Sequence, residues 1–149
     1  MSLQLVPIPP TGQPDLGQGS IPDQLQQYIA GNQAYYTAIG FKEPWIAYVA
    51  IEDDAAVGTC AFKGRPKGGM VEIAYATLTE FEGRGVATRM AAELVRVARS
   101  TDTSLRIIAQ TLPEENASAR VLAKNGFAQV REAMDDEVGR VWEWELMPA

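Results

Sequence analysis

Between residues 76 and 88 the chain reads Ala76-Thr77-Leu78-Thr79-Glu80-Phe81-Glu82-Gly83-Arg84-Gly85-Val86-Ala87-Thr88, a strand-like run that passes through two glycines into a helical pattern. Glycine at 83 and 85 puts no side chain between the backbone and an approaching group. The amides of Gly83, Gly85, Val86, Ala87 and Thr88 can therefore converge on an anion. A helix start favours negative charge, because its first amides lack partners and the helix dipole adds partial positive charge there. Arg84 could add a charge-assisted contact. The same glycines would also serve a plain tight turn between strand and helix. Two nucleotide patterns fall well behind. No Gly-Lys-Ser or Gly-Lys-Thr follows the glycines. A dinucleotide fingerprint needs a third glycine where Thr88 stands, and an acidic residue at the end of a second parallel strand.

Other chemistry is narrowed by what the 149 residues contain: no histidine and one cysteine. Without histidine, Ser-His-Asp and Cys-His catalysis and histidine-built zinc sites are excluded. Cys60 cannot close an internal disulfide, which suits a reducing compartment. It lies in the apolar run Gly58–Phe62, where a thiol packs as a small hydrophobe. The net charge of −6 argues against nucleic acid as the partner. It leaves open an anionic cofactor held by backbone amides. No apolar run is long enough for a membrane span, and the first residues lack the basic start and apolar core of a signal peptide. The expected location is the cytoplasm, with no membrane partner.

The elements that must position these residues follow from periodicity and breakers. Residues 2–6 suit a short edge strand. Prolines and glycines then keep the stretch to residue 20 loose, so residues 1–20 read as an arm on the surface or against the body. Ser20 suits a helix cap, and a helix over about 22–38 follows, with Leu25, Tyr28, Ile29, Ala34, Tyr35 and Ile39 as its apolar stripe. Three strands, Trp45–Ile51, Ala56–Lys63 and Met70–Leu78, form a meander turned at Asp53-Asp54 and at Pro66–Gly69. A helix over Val86–Arg99, a buried strand over Ser104–Thr111 and a short helix over Ala117–Asn125 come next. Phe127–Glu132 and Val138–Leu146 make a last hairpin. The length and the absence of repeats or a composition break predict one domain over residues 1–149.

The segment Glu82–Ala87 resembles the acetyl-CoA signature Q/R-x-x-G-x-G/A of the GNAT N-acetyltransferases, with Glu82 where glutamine or arginine is usual. Asn116-Ala117-Ser118-Ala119-Arg120-Val121-Leu122-Ala123-Lys124-Asn125-Gly126-Phe127 is similar to a second segment of that family, from the branch that acetylates ribosomal proteins and amino acids. The two stand in the family's order, and the resemblance covers about residues 45–147. It implies an α/β (α+β) fold, a mixed and mostly antiparallel sheet of six to seven strands flanked by helices. It also implies acetyl-CoA as cofactor and acetyl transfer to a primary amine by direct attack in a ternary complex.

The resemblance further implies that the strand ending at Thr77-Leu78 splays away from the strand ending at Gln110. The pantetheine arm would then bond the backbone of Ala76, Thr77 and Leu78 like an added strand. An amide near Leu78 would polarise the thioester carbonyl. Residues Glu82–Thr88 would hold the phosphates, with Glu82 turned away or paired with Arg84 or Arg89. Lacking histidine, the amine must lose its proton to a carboxylate through water or to bulk solvent. Glu72 is the candidate carboxylate, or else a solvated strand residue. The family's usual proton-donating tyrosine falls at Leu122, which leaves Ser118 as the substitute acid, or as a capping residue. Asn116 either caps the short helix or bonds the pantetheine. Tyr28, Tyr36 and Trp45, with Tyr35 and Phe41, come from the region that forms a substrate wall in the family, although aromatic residues at helical spacing also suit a core. The acidic chain favours a cationic acceptor, a small-molecule amine such as a polyamine or a peptide N-terminus. A homodimer is compatible with this reading. The rival readings are a non-catalytic acyl-CoA-binding or regulatory module on the same fold, kept open by Glu82 and Leu122, and a plain structural domain.

Overall fold

Runs of apolar and β-branched residues joined by tight turns lead to one seven-stranded sheet in the order β1-β2-β3-β4-β5-β7-β6. The computed structural model describes residues 3–17 and 21–148, so the cap predicted at Ser20 lies outside the described residues. In chain order the elements are β1 (Gln4–Pro7), α1 (Asp23–Ile39), β2 (Ala47–Glu52), β3 (Ala55–Phe62), β4 (Met70–Thr77), α2 (Val86–Thr101), β5 (Arg106–Thr111), α3 (Ala117–Lys124), β6 (Phe127–Asp135) and β7 (Gly139–Leu146). A single 3-10 turn, Thr79–Phe81, joins β4 to the glycine turn. The α/β class with a mostly antiparallel sheet flanked by helices is as the resemblance implied. Among the described residues, no helix is long and apolar enough to cross a membrane.

Local chemistry explains the turns. Asp53 and Asp54 have φ of 52° and 63°, and they connect Glu52 to its register partner Ala55. Two left-handed residues make the tight turn that matches strand twist, and aspartate tolerates that region better than most side chains.

The sheet is antiparallel throughout except between β4 and β5, which run parallel. That one junction is short. Met70, Val71 and Glu72 pair with Arg106, Ile107 and Ile108, and then the strands part although both continue. The implied splay is therefore present. The amphipathic α2 covers β3 and β4 with Val86, Met90, Ala91, Leu94 and Ala98, all buried. α3 packs beside α2, and Asn125 Nδ2 donates to the Thr88 and Val121 carbonyls at 3.2 and 3.0 Å, fixing the end of α3 to the start of α2.

The face of α1 differs from the expected stripe. Leu25, Ile29 and Tyr36 are buried, while Tyr35 is 44% exposed and Ala34 is exposed. The inward face is not purely apolar: two polar groups there hold the N-terminal segment. Gln33 Nε2 donates to the Pro9 and Gly12 carbonyls at 3.0 and 2.7 Å. The Tyr36 hydroxyl donates to the Ile8 carbonyl at 2.8 Å and accepts from the Ala47 amide at 2.9 Å. The edge strand expected at residues 2–6 is present as β1, paired to β2, and with Leu3 and Ile8 buried the segment 3–8 is fixed to the body.

Candidate active site

The parting of β4 from β5 leaves backbone groups facing a gap, and strand alternation says which. The Glu72 carbonyl accepts from the Lys63 amide, and the Leu78 amide donates to the Val57 carbonyl at 2.9 Å. Successive residues of an antiparallel strand turn their polar groups to opposite neighbours. Glu72, Ala74, Ala76 and Leu78 thus bond β3, which leaves the amides and carbonyls of Tyr75 and Thr77 directed at the gap. This corrects the expectation that Ala76 and Leu78 supply main-chain bonds there. Leu78 is also buried, and its amide is engaged with Val57 and cannot polarise a carbonyl in the gap.

The gap opens into a cleft of about 570 Å³. One wall is Tyr75, Ala76, Thr77, Phe81, Glu82, Gly83, Gly85, Val86, Ala87 and Thr88; the other is α3, through Ala117, Ser118, Arg120, Val121 and Lys124, and Tyr28 of α1 also lines it. Nine cofactor or catalytic candidates and Tyr28 thus meet in one place: Ala76, Thr77, Glu82, Gly83, Gly85, Val86, Ala87, Thr88 and Ser118.

The two glycines of the turn have different surroundings, a difference that the residue types did not disclose. Gly83 and Gly85 both have φ of 78°, the left-handed region. A Cβ on Gly83 would meet nothing within 4 Å, so its bare backbone borders open space. A Cβ on Gly85 would lie 2.9 Å from Arg89 Nη1. Arg89 is held by Glu52, with Nε to Oε2 at 2.6 Å and Nη2 to Oε1 at 2.8 Å. Its hydrogen bonds to Glu52 raise the Arg89 pKa and hold the Glu52 carboxyl below the usual range. Gly85 therefore makes room for a pinned arginine, and Gly83 leaves open space beside its backbone.

Several candidates are placed elsewhere. Arg84 is exposed and stacks on Phe81, 5.5 Å from its ring centroid, and does not line the cleft. Glu82 lines the cleft and is exposed, and of the two alternatives for it the pairing with Arg84 or Arg89 is not seen. Asn116 caps α3, its Oδ1 accepting from the Ala119 amide at 2.9 Å, and does not line the cleft. That leaves Ser118 out of the capping role, with its side chain on the cleft wall. Glu72 is ion-paired to Lys63 at 3.1 Å. Burial opposes the Lys63 charge, but the Glu72 carboxylate outweighs it and raises the lysine pKa. Glu72 is thus engaged with a cation and lies off the cleft wall. Tyr36 holds the N-terminal segment, and Trp45 packs edge-on against Phe62 at 5.0 Å in the core, so neither forms a substrate wall. Leu122 is fully buried, and burial pushes the Cys60 thiol pKa up, in keeping with its packing as a hydrophobe.

Sequence reasoning missed Tyr75, Phe81, Arg120, Val121 and Lys124. A signal for the helical group existed: Ala117, Arg120, Val121 and Lys124 recur at the three- and four-residue spacing of one helix face. In a chain of net charge −6, Arg120 and Lys124 bring two cations to the cleft.

Residues 13–128, more than half of the chain, match the acetyltransferase (GNAT) domain. The chain belongs to the GNAT acetyltransferase family, whose cosubstrate is acetyl-CoA. Its fold is similar to that of Mycobacterium smegmatis RimJ, solved in complex with a CoA disulfide, at 23% identity and a TM-score of 0.62, over 80% of this chain and 59% of that one. It is also similar to the ribosomal-protein-S5-alanine acetyltransferase from Vibrio fischeri, at 17% identity and a TM-score of 0.60, over 84% of this chain and 72% of that one. An aminoglycoside acetyltransferase in complex with coenzyme A and kanamycin aligns at 16% identity and a TM-score of 0.58, over 67% of this chain and 64% of that one. No curated protein matches the chain significantly in sequence.

Proposed function

We propose that the chain transfers an acetyl group from acetyl-CoA to the primary amine of a small molecule or a protein N-terminus, by direct attack within a ternary complex in the cytoplasm. The observation that carries this reading is the gap between β4 and β5, with the glycine turn at its open end and two α3 cations on its far wall. Acetyl-CoA supplies the activated thioester. The amides at Gly83 and Gly85–Thr88 suit its pyrophosphate, and Arg120 and Lys124 suit its remaining phosphate charge. The amides of Tyr75 and Thr77 are the donors available along the gap, and one of them can stabilise charge that develops on the thioester oxygen. Fixing the two reactants side by side then contributes much of the rate.

On the other face of the sheet a groove of about 180 Å³, lined by Tyr28, Asn32, Thr59, Ala61 and Ala74 among others, shares Tyr28, Tyr75 and Ala76 with the cleft. It suits the approach of an amine. With Glu72 held by Lys63, the amine proton leaves to solvent water. The supporting measurement is thermal: acetyl-CoA or CoA at 100 times its dissociation constant adds about 2.7 kcal/mol of stability, and NAD and ATP do not. Equal stabilisation by NAD would sink the reading. Thiol release with a panel of polyamines and short peptides then separates turnover from mere binding. Buried Leu122, at the place of the family's tyrosine, is the observation behind the alternative of a non-catalytic acyl-CoA-binding module; tight CoA binding without thiol release from any amine would favour it.

A further inference from the structure

Tyr75 stands just past the point where β4 leaves β5, and it borders both the cleft and the groove on the far face of the sheet. Its hydroxyl donates to the Ser118 carbonyl at 3.3 Å, beyond the usual length for an O–H···O bond. That carbonyl lies in the first turn of α3 and already serves the helix. The phenol therefore holds a weak partner that it can exchange. Along the gap, the main-chain groups of Thr77 come first and those of Tyr75 second, counted from the glycine turn. An extended arm anchored at that turn brings its far, reactive end to Tyr75.

We infer that the Tyr75 hydroxyl is the hydrogen-bond donor to the sulfur of CoA as the thioester breaks, a role supplied from β4 in a chain whose α3 offers only Leu122 at the family's tyrosine position. This rests on the acyl-transfer reading. In the step, the amine lone pair forms the N–C bond, and the C–S bond breaks with its electron pair moving to sulfur. The amine proton goes to water, and the phenol keeps its own. Burial pushes the Tyr75 pKa up to about 12, above the roughly 8.5 of an ordinary thiol, so the phenol donates a hydrogen bond without giving up the proton.

The test needs no acceptor. The full chain is loaded with CoA, and the bound thiol is titrated by its ultraviolet thiolate absorbance in wild type, Tyr75→Phe and Ser118→Ala. A donor to sulfur favours the thiolate, so Tyr75→Phe raises the bound thiol pKa by about one pH unit, a tenfold loss of thiolate at a given pH. A role in packing alone would lower the melting temperature and leave that pKa in place, which overturns the inference. A rise confined to Ser118→Ala also overturns it and gives the role to the serine. Site-specific 3-fluorotyrosine at position 75 keeps the ring and acidifies the donor, and it lowers the bound thiol pKa; an unchanged or higher value counts against Tyr75 whether or not the phenylalanine variant folds. Wild-type protein that binds no CoA overturns the acyl-transfer reading itself, and this inference with it.

Discussion

The two walls of the cleft are built by different means. The wall from β4 through the glycine turn to α2 presents main chain: the amides and carbonyls of Tyr75 and Thr77, bare Gly83, and the first amides of α2. The α3 wall presents side chains, Ser118, Arg120 and Lys124. A backbone wall depends on conformation and tolerates changes of side chain. A helical wall is rigid in backbone and depends on which residues it carries. The contrast places Glu82, where the family has glutamine or arginine, on the wall that depends least on side chains. It also marks α3 as the place where substitutions should change affinity and chemistry.

The largest effect is expected from changing the backbone wall itself. Gly83→Val puts a branched side chain at a φ of 78° and into the open space of the cradle. Losing two amide–phosphate bonds of about 1.5–3 kcal/mol each weakens CoA binding by at least about 100-fold in calorimetry. Near-normal affinity in a folded variant would place the phosphates elsewhere. Next comes the side-chain wall: Arg120→Ala with Lys124→Ala should weaken CoA by about tenfold at low salt and by less at high salt, because exposed charges are screened. A salt-independent loss would mean packing damage instead.

A smaller effect separates two neighbours on α3. Asn116→Ala should cost about 1 kcal/mol of stability in denaturant unfolding, because it removes the cap. Ser118→Ala should leave stability nearly unchanged, and the reverse result would return the cap to the serine. Glu82→Gln should change least, tightening CoA two- to threefold at low salt by removing one exposed like charge worth roughly half a kcal/mol. A loss of affinity there would show that the backbone wall depends on its side chains after all.

Strand and helix positions were legible to within a few residues because breakers and apolar runs alternate clearly along the chain. The glycine turn was legible for the same reason, since few residue types can adopt its backbone. Tyr75 was not. In Val71-Glu72-Ile73-Ala74-Tyr75-Ala76 apolar residues occur on both faces, as they must in a strand covered on two sides, so alternation gives no phase. The Arg89–Glu52 pair joins residues 37 positions apart and leaves no local trace. The inward turn of Gln33 and Tyr36 was hidden because their partners are carbonyls of the N-terminal segment, and any sequence offers carbonyls.

The short junction of β4 and β5 also bears on mechanics. Hydrogen bonds between strands stitch β1–β4 into one block and β5–β7 into another, and among the described residues three register pairs join the blocks through the sheet. Beyond that seam the halves are held by α2 against α3, by the Asn125 clasp and by the Tyr75 hydroxyl on the Ser118 carbonyl. A ligand lying in the gap would extend the stitching along most of the seam, so the molecule would be stiffest when loaded. The amides of Tyr75 and Thr77 would exchange with solvent faster when the gap is empty, and pulling the two blocks apart would open the molecule first along that gap.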